Sequence, residues 1–135
     1  MMRFALLVGV VGTTLLAGPT AAGQRSKLDS SQGSAFMGTW VFTMTNPQGS
    51  EQTVRIWDKN GVLAASLQIE KFPPNDITGT LKDGDVLVLT TTLRENGAPI
   101  RAVIELTLDG ENMKMAQMLQ NSQTIKRGSA KRQQP

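Results

Sequence analysis

The sequence predicts an all-β fold, an eight-stranded antiparallel up-and-down β-barrel. Three observations lead there. Eight short runs rich in Val, Ile, Leu, Thr and Met follow one another between residues 39 and 127. Turn residues, Asn-Gly and Asp-Gly among them, separate the runs. When the runs are paired through those turns, their apolar residues fall on one continuous face.

The chain opens with MMRFALLVGVVGTTLLAGPTAAG: one basic residue, Arg3, an apolar run from Phe4 to Leu16, then small residues. This is the pattern of a secretory signal peptide over 1–23, cleaved near Ala22 or Gly23. The apolar run is shorter than the roughly 20 residues a membrane span needs. The mature protein is therefore expected to be periplasmic or extracellular, with no membrane span. Residues 24–37 read as a polar linker and 38–127 as the barrel domain. The stretch 128–135, GSAKRQQP, reads as a basic disordered tail.

The runs are TWVFTMT, QTVRIWD, VLAASLQIEK, DITGTLK, DVLVLTTTLR, PIRAVIELTL, NMKMAQML and QTIKR. Register follows from the requirement that cross-strand partners share a face. A two-residue turn at Asn60-Gly61 sets Ile56 opposite Ala65 and Val54 opposite Leu67. A turn at Asn96-Gly97 sets Leu93 opposite Ile100, Thr91 opposite Ala102 and Leu89 opposite Ile104. A turn at Asp109-Gly110 sets Leu106 opposite Met113 and Ile104 opposite Met115. At Lys82–Gly84, apolar matching selects a three-residue loop that brings Leu87 to Gly79 and Leu89 to Ile77. Trp40, Phe42 and Met44 join the face of Val54 and Ile56. Ile69 meets Ile77, and Leu119 meets Ile125. The opposite face carries Thr43, Arg55, Glu70, Arg94, Arg101, Glu105, Lys114 and Lys126, among others. Closing such a sheet on itself removes its edges, and eight strands suit a small barrel.

Gly38, Thr39 and Trp40 form a G-x-W at the mouth of the first run. With eight alternating strands behind it, the chain resembles the calycin superfamily, the lipocalin and avidin-like barrels. It is also similar to small secreted bacterial barrels of unassigned function. The resemblance implies that Trp40 plugs the closed end of the barrel. It also implies that a basic residue near the end of the last strand packs across it. The register above makes that residue Arg127, so the expected floor is Gly38, Trp40 and Arg127. The turns at Asn60-Gly61, Lys82–Gly84 and Asp109-Gly110 lie at that end, and the longer loops lie at the end that is the ligand mouth in lipocalins. The chain lacks the helix that usually follows a lipocalin barrel. It also lacks the several tryptophans of an avidin pocket, so biotin is not the expected ligand.

Composition narrows the chemistry. The chain has no Cys, His or Tyr. It therefore has no disulfide, no thiolate or imidazole metal ligand and no histidine base. No enzyme activity, cofactor or metal is expected. Asp83, Asp85, Asp109 and Glu111 gather at the turn end, where acids serve as turn formers more often than as a calcium site. The net charge of +3 comes from the chain ends. A secretory address argues against a nucleic-acid partner.

Two functions follow. In the first, the barrel carries a small hydrophobic, lipid-like molecule. The inward residues Phe42, Met44, Leu67, Ile69, Leu89, Thr91, Ala102, Ile104, Met115 and Gln117 would line the site. Small Ala65, Gly79, Thr91 and Ala102 would leave space, and Thr91 and Gln117 would supply polar groups. In the second, the interior is filled. The barrel then acts as a protein-interaction or envelope-associated module, with a partner on the outer face around Trp57. Oligomeric state is left open.

Overall fold

The computed structural model describes residues 27–46, 48–95 and 97–132. The expected signal peptide lies outside the described residues. Among the described residues, nine strands form one antiparallel sheet. They are β1 Gly38–Thr45, β2 Gln48–Lys59, β3 Val62–Ile69, β4 Asn75–Asp76, β5 Gly79–Asp83, β6 Val86–Glu95, β7 Ala98–Asp109, β8 Asn112–Leu119 and β9 Ile125–Arg132. Their order is β4-β3-β2-β1-β9-β8-β7-β6-β5, a meander in which β9 pairs with β1. The sheet is curled and barrel-like. Its concave face holds one core that includes Trp40, Phe42, Met44, Val54, Leu67, Leu87, Leu89, Ile104, Leu106 and Met113. No described helix is long and apolar enough to cross a membrane.

Local chemistry explains the hairpins. Asn60 and Gly61 take φ of 56° and 91°, the pair of positive values that a two-residue turn matching strand twist requires. Ile56 stands opposite Ala65 and Val54 opposite Leu67, as the turn predicts. Leu93 likewise pairs with Ile100, Thr91 with Ala102 and Leu89 with Ile104. Trp40 pairs with Val54, which puts the first two strands on the expected face.

Other connections differ. The β7–β8 turn is Gly110-Glu111, not Asp109-Gly110, so Leu106 meets Met115 and Ile104 meets Gln117. This is a shift of two residues, which leaves every face unchanged. The β5–β6 turn is Gly84-Asp85, with Asp83 opposite Val86 and Lys82 opposite Leu87. The three-residue loop is thus replaced by a two-residue one. Thr80 turns inward and is buried, while Leu81 turns out. The cause lies outside the hairpin: the Thr80 hydroxyl accepts the Leu28 N–H at 2.7 Å. The run DITGTLK is split, and Ile77 meets Ala65 rather than Ile69, through an N–H···O bond of 3.0 Å.

That split draws the two edges of the curl together. The Ile77 N–H bonds to the Ala65 carbonyl of β3, and the next N–H, of Thr78, bonds to the Thr90 carbonyl of β6 at 2.9 Å. Toward the other end, residues 28–30 span the same seam. Leu28 gives its N–H to Thr80 of β5 and accepts the Leu63 N–H of β3 at 2.8 Å. Ser30 N–H reaches the Gly61 carbonyl at 3.0 Å. The stretch expected to be a linker is therefore a strap from Lys27 onward. It includes two short 3₁₀ turns, Ser30–Gln32 and Ser34–Phe36, and buries Phe36. Edge backbone groups that would otherwise lie open find partners in it.

The C-terminal boundary moves as well. β9 continues through Gly128, Ser129, Ala130, Lys131 and Arg132, so these residues are strand and not tail. Gln133–Pro135 lie outside the described residues.

Candidate functional site

The floor forms first from the sequence upward. Gly38 has φ of +126°, a value side chains avoid, and this carries the chain from the strap into β1. Two residues on, Trp40 is fully buried and donates its indole N–H to the Phe36 carbonyl at 2.8 Å. The guanidinium of Arg132 lies 4.5 Å from the Trp40 ring centroid. It donates to the Ala35 carbonyl at 2.8 Å and to the Met37 carbonyl. The ammonium of Lys82 lies 5.7 Å from the Phe36 ring centroid.

The basic residue across the tryptophan is therefore Arg132, not Arg127, which points outward and is exposed. The correction has a physical cause. Ile125 pairs with Met118 and Gly128 with Met115, so β9 is offset by one residue from the expected register. A one-residue offset exchanges faces. The interior beside β9 is already filled by large side chains. A Cβ on Gly128 would fall 2.5 Å from the Met44 sulfur and 2.8 Å from the Thr43 carbonyl oxygen. Small residues, Gly128 and Ala130, therefore face in, and Ile125 is left outside.

The ten residues expected to line a ligand site do share the concave side. Phe42, Leu67, Leu89 and Ile104 each have 0% exposure. Met44, Thr91, Ala102, Met115 and Gln117 are buried, and Ile69 is partly buried against the same core. These side chains face one another.

The polar groups among them are already engaged. Gln117 donates its side-chain amide to the Gln52 oxygen at 2.8 Å, and both residues are buried. Thr91 donates its hydroxyl to the Asp76 carbonyl at 2.7 Å. Gln52 was absent from the expected lining. Its signal was present, because it lies two residues before Val54 and so shares its face. Phe36 and Leu28 were hidden by polar neighbours, although both are large apolar residues in an otherwise polar stretch.

On the outside, Trp57 is 41% exposed and stands opposite Ala64 on β3. Val86, Val88 and Val103 also face outward and are half-buried. Asp83, Asp85, Asp109 and Glu111 do not converge. Among the described residues no three carboxylates form a group that could hold a metal ion. Asp109 instead lies 3.7 Å from Lys114, an exposed pair of little energetic weight.

No protein-family model matches the chain, and comparison with curated proteins and with solved structures gives no match either.

Proposed function

We propose that this chain is a secreted, lipocalin-like barrel whose interior is filled by its own side chains. In this reading it acts through its outer surface, as an interaction or envelope-associated module. The observation that carries the reading is the burial of the inward set: Phe42, Leu67, Leu89 and Ile104 are fully buried. Interiors packed to this degree are cores rather than chambers. Secretion is supported by Arg3, the apolar run from Phe4 to Leu16 and the small residues after it. Trp57 is the candidate anchor for a protein partner, since partly exposed tryptophans often carry interface energy.

A second reading, a carrier of a small hydrophobic molecule, is favoured by one feature. Gln52 and Gln117 converge within an apolar interior, as the polar groups of ligand pockets do. Met44, Met113 and Met115 are adaptable neighbours that can repack around a guest. Native mass spectrometry of the chain exported by a secreting host, with solvent extraction of bound material, separates the two. A clean protein mass and no uptake from a panel of lipids support the filled module. A stoichiometric apolar adduct overturns it in favour of the carrier.

A further inference from the structure

Two buried amides in an apolar interior have fewer partners than their chemistry provides for. Gln52 and Gln117 are 5% and 1% exposed. Gln117 donates to Gln52 at 2.8 Å, and Gln52 donates back at a weak 3.5 Å. That exchange uses one N–H of each amide, and an amide has two. Among the described residues nothing accepts the second N–H of either. A buried donor without an acceptor is costly, so the pair marks a place for a further acceptor.

Lys126 stands next to them, as the register partner of Gln117 on β9. The inward series of β9 is Lys126, Gly128, Ala130 and Arg132, with Arg132 at the Trp40 floor and Lys126 at the opposite end. The Lys126 ammonium has no ion-pair partner among the described residues. The neighbouring strands offer it no acid on that face: β1 presents Phe42 and Met44, and β8 presents Met115, Gln117 and Leu119.

The wall loosens beside Lys126. β1 and β9 pair by backbone from Trp40 and Arg132 up to Met44 and Gly128. Beyond Met44, side chains take over. Asn46 accepts the Arg127 N–H and donates to the Ile125 carbonyl, each at 3.0 Å, and the Thr45 hydroxyl donates to the Arg127 carbonyl at 3.0 Å. The two backbones therefore stand a side chain apart at this end. The Asn46 amide is committed to β9 and does not serve the ammonium.

We propose that this place binds a small monocarboxylate. One carboxylate oxygen would meet the Lys126 ammonium, and the other the unused N–H groups of the Gln52–Gln117 pair. A single cation with neutral N–H donors matches one negative charge better than the two of a phosphate. A short apolar tail would lie on Ile100 and Leu119, inward residues at the same end of β7 and β8. The inference goes beyond the filled interior and does not require it to empty: the carboxylate stops at the amide pair, and the side chains below stay packed.

The test uses hexanoate as the probe, hexanamide as its neutral control and the chain exported by a secreting host. In isotope-labelled protein, the side-chain amide signals of Gln52 and Gln117 should shift saturably with hexanoate and not with hexanamide. Lys126→Met should weaken hexanoate about tenfold, the scale of one charge-assisted contact, with an unchanged melting temperature because the ammonium has no partner to lose. Gln52→Leu with Gln117→Leu should weaken it by a similar factor. Amide signals that do not saturate, equal shifts with hexanamide, or equal affinity in Lys126→Met would each overturn the proposal. Equal affinity in the double leucine variant would overturn it too, and would leave the spare N–H groups to an internal water.

Discussion

The guanidinium of Arg132 lies 4.5 Å from the ring centroid of Trp40 and bonds the carbonyls of Ala35 and Met37. One side chain near the end of the last strand thus fastens the N-terminal strap and covers the buried indole. Arg132→Ala should cost about 2 kcal/mol, from a cation–π contact and two charge-assisted hydrogen bonds. Arg127→Ala should change stability by less than about 0.5 kcal/mol, as exposed substitutions do. Urea titrations of the two variants check this, and equal losses would contradict the register of β9.

Trp40→Ala should lose roughly 3–5 kcal/mol, because the indole is fully buried and its removal leaves a cavity. The indole also holds the Phe36 carbonyl. The variant should therefore loosen the strap, seen as faster proteolysis before residue 38.

Gln52 and Gln117 satisfy one another inside the core. Gln117→Leu alone should cost about 1–3 kcal/mol, since it strands the Gln52 amide. The double change to leucine should recover most of that loss, because no polar group is then left unpaired. A double-mutant cycle measures the coupling directly, and additive losses would mean that the two amides do not interact.

Thr80→Val removes the acceptor of the Leu28 N–H while keeping the side-chain shape. A loss of about 1–2 kcal/mol is expected. Hydrogen exchange should speed at Leu28 and at Leu63, whose N–H bonds to the Leu28 carbonyl. Unchanged protection at both amides would argue against the strap as a seam closure.

Gly128→Ala should destabilise by about 1–3 kcal/mol through overpacking. The new methyl would meet the Thr43 carbonyl oxygen at 2.8 Å, and backbone moves less readily than the nearby Met44 side chain. A neutral result in thermal unfolding would show that β9 can shift away from β1.

Much of the sheet was legible because its signals are local. Asn60-Gly61 dictates a turn by backbone sterics alone, and alternation from Val54 or Leu89 carries the faces outward from each turn. The β8–β9 connection, residues 120–124, has no such rule. The apolar side chain of Ile125 points to an inward place, but the space beside β9 is taken by Met44 and its neighbours. The candidate interior was found as a set of residues, but its packing could not be read from the sequence. Whether Leu67 and Ile104 line a chamber or touch other side chains depends on volumes contributed by several strands at once.

By itself the sequence determined the all-β class, the order of the hairpins, the inward faces of most strands and the importance of Gly38 and Trp40. Those properties follow from period-two alternation and from turn chemistry, which act over a few residues. Only the tertiary structure decided that Arg132 covers Trp40, that Thr80 faces in and Leu81 out, and that residues 27–37 form a strap. Each depends on groups far apart in the chain: Arg132 meets Ala35 and Met37, Thr80 meets Leu28, and Leu28 meets Leu63. A buried N–H or an indole face takes the partner that the folded chain brings to it, and sequence distance does not enter that choice.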